Sequence, residues 1–249
     1  MRIEVDTHTH TVASGHAYST VYELAMGARR RRLKGFVLTD HGPALAGGTH
    51  PYHFGNMRIL PERIRGVRFY RGVEADILDL EGTLDLGDEY LEQLHFAYAG
   101  LHETCFPPRG EAENTRALVA ALGKPLVDAV SHPGNPIYPV EVQSVVRAAK
   151  GYGKAIEINN SSFKVREGSR ESCFEFAKAC AETGTFVVCG SDAHYWSDVG
   201  GFDQARALLK EAHVPRELVI NATSASFEAF LERRALEKKA RHASRSFLE

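Results

Sequence analysis

Nine side chains of metal-binding type, His8, His10, His16, His41, Glu74, His102, His132, Asp192 and His194, sit at or just beyond the ends of short apolar runs in this 249-residue chain. The runs are RIEV, KGFVL, RFYRGV, FAYAGL, LVDAV and TFVVC. His8 and His10, like Asp192 and His194, lie two apart, which puts each pair on one face of an extended strand. Ligands carried in this way can converge at one rim of a sheet. A set of imidazoles and two carboxylates without a thiolate suits borderline divalent ions such as Zn²⁺, Mn²⁺ or Fe²⁺. A structural zinc site needs four ligands, commonly with cysteine, so nine are too many for one ion. Two or three clustered ions with shared ligands fit the number, and Glu74 and Asp192 are the candidates to bridge them. Such ions bring more positive charge than two carboxylates return, so an anionic guest is expected. Phosphate is the natural one, because ions about 3.5 to 4 Å apart can hold its oxygens and lower the pKa of a bound water.

The elements that must position these groups are strands near 2–7, 35–39, 68–74, 95–101, 126–131, 154–158 and 185–189. Their spacing leaves room for a crossover helix between consecutive parallel strands. TVYELAMGARRRRL, ENTRALVAALG, VEVQSVVRAAKGYG, SRESCFEFAKACAETG and FDQARALLKEAH repeat apolar residues at three and four, as helices do, and LGDEYLEQL is a shorter crossover. Alternation without a linker or compositional shift predicts a single α/β domain over 1–249. If the strands close into a barrel, the candidate ligands fall at the C-terminal ends of strands one to five and seven, where barrel enzymes place their chemistry. A charged helix over about 224–244 ends the chain, and its basic cluster Arg233, Arg234, Lys238, Lys239 and Arg241, interrupted by Glu232 and Glu237, reads as a solvated face.

Composition removes other classes. Thirty basic against 32 acidic residues give a net charge of -2, so no global field recruits nucleic acid or anionic membrane. No run reaches the roughly 18 apolar residues of a membrane span. Cys105, Cys173, Cys180 and Cys189 show no C-x-x-C spacing and read as reduced thiols. With a candidate ligand already at position 8, the start leaves no room for a secretion leader, and cytoplasmic residence is the expectation.

HTHT at 8–11, TDHG at 39–42, GVEAD at 72–76, GLHE at 100–103, SHPGNP at 131–136 and GSDAH at 190–194 resemble the ordered motifs of PHP-domain phosphoesterases. HTVASGHAYST at 10–20 and EINNSSF at 157–163 are similar to the YcdX-type bacterial phosphatases within that family. The resemblance implies a distorted (β/α)7 TIM-like barrel, the PHP fold, with a trinuclear site holding three Zn ions, Mn or Fe being alternatives. Carried over by motif, His8, His10, Glu74 and Asp192 would hold one ion, Glu74, His102 and His132 a second, and His16, His41 and His194 a third. The chain departs from the family in its basic C-terminal tail and in the loop from His50 to Arg58.

The expected activity is hydrolysis of a small phosphomonoester by in-line attack of a metal-bound hydroxide, with Glu74, Asp192 and His194 as catalytic residues. Arg58, Asn159 and Ser162 are the expected substrate contacts. Arg109, Lys164 and Arg166 are further loop cations able to grip phosphate, and Asn159 and Ser162 sit where such residues also cap helices. Asp6 and Asp40 are placed to accept the second N–H of a ligating imidazole, with a structural role as the alternative. His50, His53, His95, His213 and His242 match no strand end and read as ordinary loop or core residues, His53 in a loop that could roof the site. The alternatives are a PHP nuclease or nucleotide phosphodiesterase, an amidohydrolase, which FAYAGLHE opposes by lacking the usual bridging lysine, and a non-catalytic metal-binding or scaffolding module. The expected partner is a small phosphorylated substrate, without membrane or nucleic acid, with a homo-oligomer left open.

Overall fold

Short runs rich in Val, Ile, Phe and Tyr, buried on both faces, build the strands of this chain, as expected where helices cover a parallel sheet. The computed structural model describes residues 1–245. Its strands are β1 Val5–Asp6, β2 Gly35–Leu38, β3 Arg63–Ile64, β4 Val67–Asp76, β5 Phe96–Gly100, β6 Ala129–Val130, β7 Ala155–Asn159 and β8 Phe186–Gly190. Seven of them pair in parallel in the order β1-β2-β4-β5-β6-β7-β8. β3, which the sequence pattern missed, is a two-residue antiparallel partner of β4.

Helices α1 Val21–Arg30, α2 Pro51–Asn56, α3 Asp88–Leu91, α4 Glu111–Gly123, α5 Val142–Gly151, α6 Ser162–Val165, α7 Ser169–Thr183, α8 Asp203–Glu211 and α9 Ser224–Arg245 complete the order. α1 begins at a capping box: Thr20 Oγ1 accepts the Glu23 N–H, and the Glu23 carboxylate accepts the Thr20 N–H. Among the described residues no helix is long and apolar enough to cross a membrane.

The ring of strands closes unevenly, which accounts for the distortion. Among the described residues, the backbone bridge between the β1 and β8 segments is Thr9 with Ala193, beyond both strand ends. Lower down, the buried Asn221 side chain spans the gap, donating to Val5 O at 2.8 Å and Cys189 O at 2.7 Å while accepting Cys189 N–H at 3.0 Å. A side-chain amide thus replaces a stretch of ladder, and the expected strand over 2–7 shrinks to Val5–Asp6.

One apolar layer lies between strands and helices. A second fills the barrel with Val5, Val37, Tyr70, Phe96, Tyr98 and Val188, and Phe227 and Phe230 of α9 close it from below. The basic stretch of α9 therefore differs from a solvated face. Arg234 is 3% exposed and gives Nε to Asp128 Oδ1 at 3.0 Å, while Lys238 Nζ reaches Asp128 Oδ2 at 2.9 Å. A buried acid on the barrel floor needs these cations, and an alternating charge pattern does not reveal it. Arg241 and His242 lie outside the residues whose side chains are described.

Candidate metal centre

Side chains alternate along a strand, so the positions that fill the barrel below are continued by polar groups above. Tyr70 of β4 is followed in the same parity by Glu74, Phe96 and Tyr98 of β5 by His102, Ala155 of β7 by Glu157, and Val188 of β8 by Asp192. His8 and His10 follow β1, His41 follows β2 beside Glu74, His132 follows β6, and His16 arrives on the loop before α1. All nine predicted ligands meet at this rim.

Glu74 lies at the centre. Its Oε2 faces His8 Nε2 at 3.0 Å, His41 Nδ1 at 3.3 Å and His10 Nε2 at 3.5 Å. Its Oε1 faces His132 Nε2 at 2.8 Å and His102 Nε2 at 3.3 Å. Asp192 Oδ1 stands 3.3 Å from His10 Nε2 and 3.5 Å from His194 Nδ1. Two further imidazole pairs meet nitrogen to nitrogen, His102 with His132 at 3.2 Å and His16 with His194 at 2.9 Å. Both oxygens of one buried carboxylate thus serve different sets of imidazoles.

A surrounding layer fixes which nitrogen points inward. Glu157 Oε1 lies 2.7 Å from His8 Nδ1, and Asp76 Oδ1 lies 2.5 Å from His102 Nδ1, so each acid takes up an Nδ1 and leaves Nε2 as the nitrogen that faces the centre. Glu157 Oε2 also accepts the His132 N–H at 2.7 Å. Ser14 Oγ donates to Asp40 and faces His10 Nδ1 at 3.2 Å. A Cβ at Gly190 would overlap Glu157 Oε1 and the His8 Cβ, so glycine is required for that approach. His132 and Asp192 hold positive φ, 30° and 56°, a strained backbone region that collects at functional sites.

Burial opposes a charge on every one of these groups, and their neighbours decide the outcome. Against burial, Glu157, Glu74 and Asp192 raise the His8 pKa well above its ordinary value, and Glu74 with Asp76 lifts His102 to about 10. Burial lowers His10, His16, His132 and, most strongly, His41. Glu74 and Asp192 overcome burial through the surrounding histidines and stay ionised well below the carboxylate range.

The donors fit metal ions. His10 Nε2, His41 Nδ1 and Glu74 Oε1 are buried without a hydrogen-bond partner, at a cost a cation would remove. Ligand atoms of His10, His41 and His194, of His8, His10 and Glu74, and of His41, Glu74 and His102 each lie within 4.8 Å of one another.

The other predicted residues divide. Arg166 lies at the centre: its Nη1 is 3.4 Å from Asp192 Oδ2 and donates to Ser162 Oγ at 3.0 Å. Arg58 lines a separate groove, and Arg109 pairs with Glu113 at 3.1 Å. Asn159 and Ser162 are fully buried; Asn159 Oδ1 accepts the Ser162 N–H at 3.0 Å, and Ser162 Oγ supports Arg166. Asp6 accepts backbone N–H groups of His8, Ser191 and Gly200 in place of an imidazole. Asp40 reaches His10 only through Ser14 and takes His53 Nε2 at 3.1 Å. His95 Nδ1 accepts the Arg71 N–H at 2.9 Å, an ordinary structural role. Glu157 and Asp76 escaped the sequence reading. Their signal was an acid inside an apolar run, AIEIN, and a second acid two residues beyond Glu74.

A protein of Acetivibrio thermocellus described as a probable phosphatase is 49% identical over 234 residues, 94% of this chain and 97% of that protein. One of Shewanella sp. with the same description is 44% identical over 235 residues, 94% of this chain and 93% of its own length. No family model matches the chain. Among solved structures, histidinol phosphate phosphatase from Lactococcus lactis, complexed with zinc, L-histidinol and phosphate, aligns with a TM-score of 0.63 at 15% identity, covering 86% of this chain and 95% of that one. A 2-pyrone-4,6-dicarboxylic acid hydrolase described as probable, from Acinetobacter baumannii, aligns at 0.54 and 14% identity over 93% of this chain and 100% of that one. At such identities the likeness is one of fold, a TIM-like α/β barrel.

Proposed function

The chain belongs to the family of bacterial proteins described as probable phosphatases, and from that premise we propose that it is a PHP-type phosphatase of the YcdX kind, a single domain acting on small phosphomonoesters with three metal ions, zinc foremost. The observation that carries this reading is Glu74, whose two oxygens address separate imidazole groups and so can join neighbouring ions. His8, His10, Glu74 and Asp192 would hold one ion, Glu74, His102 and His132 a second, and His16, His41 and His194 the third. When bound, such ions supply positive charge to phosphate oxygens and lower the pKa of water.

The chain's own residues do the rest. A cavity of about 520 Å³ opens beside His102 and His132 and is walled by Arg166, Leu45, Ile137 and Val165. The phosphate end of a substrate would lie inward, with the Arg166 guanidinium on a non-bridging oxygen. Ser162 acts on substrate through that guanidinium, which its Oγ holds, and Asn159 stands one step further back, with Oδ1 accepting the Ser162 N–H and Nδ2 donating to Glu157 Oε2 at 3.2 Å. Apolar Leu45, Ile137 and Val165 leave room for the departing alcohol.

A panel of sugar phosphates, histidinol phosphate, nucleotides and single-stranded DNA, assayed for phosphate release or cleavage by the metal-reconstituted protein, tests the reading. Turnover of at least one phosphomonoester is expected. In Glu74→Ala, turnover and metal content should vanish together, and Arg166→Ala should raise KM roughly tenfold or more by removing a charge-assisted contact. Preference for DNA, or full turnover by Glu74→Ala, would overturn the reading.

A further inference from the structure

The crossover that follows β2 lacks a full-length helix. α2 has only six residues, Pro51–Asn56, and a single turn Met57–Ile59 succeeds it, whereas α4 has 13 and α7 has 15. Outside the C-terminal end of β2, at Leu38, this leaves a groove of about 850 Å³, reaching from Val21 of α1 to Tyr90 of α3. That volume falls in the range of small-molecule sites, roughly 300 to 1,000 Å³. Leu38 and Met57 form a buried floor, while Val12, Tyr52 and Ile59 at the rim are 58%, 71% and 70% exposed. No Asp or Glu lines the groove, and Arg58 is its one permanently charged group. Among the described residues none pairs with the Arg58 guanidinium.

The groove backs onto the metal centre without opening into it. Its wall includes Thr11 and Ala13, between His10 and His16, and the half-buried His53. From His53 a hydrogen-bonded chain runs inward: Nε2 to Asp40 Oδ2 at 3.1 Å, Asp40 Oδ1 to Ser14 Oγ at 2.7 Å, and Ser14 Oγ to His10 Nδ1 at 3.2 Å. Ser14 Oγ also accepts the His41 N–H at 3.2 Å. A body seated against His53 therefore bears on two of the proposed ligands.

We propose that this groove is a second ligand site, for a small organic anion with an apolar body, such as an alkyl or aryl carboxylate or sulfonate, whose acid group pairs with Arg58. The apolar lining sets the body, and the lone unpaired cation sets the charge. Occupancy is felt at His10 through His53, Asp40 and Ser14. The inference rests on neither the ion count nor the substrate proposed above.

Fluorescence titration of the metal-reconstituted protein with 8-anilinonaphthalene-1-sulfonate, an apolar aryl sulfonate, is the test. One saturable site is expected, unaffected by saturating inorganic phosphate, weakened at least tenfold in Arg58→Glu and abolished in Val21→Trp, which fills the groove. Displacement by phosphate would place the dye at the metal centre and overturn the proposal. Equal affinity in wild type and Arg58→Glu, an exposed site tolerant of substitution, would overturn it as well. Bound dye should also change the half-time of metal release to a chelator at least twofold, and an unchanged half-time would end the coupling to His10.

Discussion

Glu157 shows how much of this site depends on a residue that is not itself a proposed ligand. Its Oε1 holds the His8 Nδ1 proton at 2.7 Å, and its Oε2 takes the His132 N–H at 2.7 Å, so one acid orients two ligand carriers. In Glu157→Gln the amide oxygen can keep the His132 N–H, but the NH₂ then meets His8 Nδ1 and forces its proton onto Nε2, which faces Glu74. Metal affinity should fall roughly 10- to 100-fold with the fold retained. Metal titration with a competing chelator measures this, and unchanged affinity would contradict the role. The nine candidate ligands that meet at the rim were legible because spacing and strand ends announce them. Glu157 was not, because AIEIN reads as an ordinary buried strand and no local pattern tells which neighbour an interior acid meets. Arg58 was the expected phosphate contact and Arg166 only one of three further loop cations, and the chain path that brings α6 beside Asp192 reverses that choice, leaving Arg58 in a separate groove.

At the scale of elements, seven parallel strands and their order were readable from apolar runs and the room between them. Element ends were less so: β1 and β6 are two residues long where longer strands were expected, since Asn221 and neighbouring loops satisfy backbone groups that a ladder would otherwise take. The role of α9 was also hidden, because a long-range pair such as Asp128 with Arg234 leaves no periodic trace. Phe227→Ala, which empties the foot of the barrel, should cost about 3 to 5 kcal/mol in urea unfolding. Asp128→Ala should cost about 1 to 3 kcal/mol, less than a wholly unpaired charge, because Arg234 keeps Glu237 and the Pro125 and Val127 carbonyls. A loss under about 1 kcal/mol in both would mean that α9 does not close the barrel.

Asp85 ties the end of β4 to the loop after His41, accepting the Asp76 N–H at 2.8 Å and the Ala44 N–H at 3.0 Å. Burial, then the nearby Asp76 charge, pushes its pKa from 3.8 to about 8. Because the fold favours the neutral acid, this group's stability contribution is full below its unfolded pKa and is lost as pH rises toward about 8. Asp85→Asn cannot ionise, so its melting temperature should vary less between pH 4 and 8 than that of wild type at equal metal content. Parallel pH profiles would contradict this assignment.

The whole molecule gathers acid and imidazole at one rim while carrying almost no net charge, -2 over 249 residues. An anion would therefore be held locally, by cations seated where His10 Nε2, His41 Nδ1 and Glu74 Oε1 lie buried without partners. The barrel floor supplies rigidity through aromatic packing, and the upper rim spends it on strained backbone and unsatisfied donors. That division predicts a protein whose stability and chemistry both answer to bound cations, since binding to the folded state alone adds to its stability by mass action. The most direct check is elemental analysis of the purified chain after reconstitution and removal of excess metal. About three divalent ions per chain are predicted; one ion or none would contradict the shared, carboxylate-bridged centre.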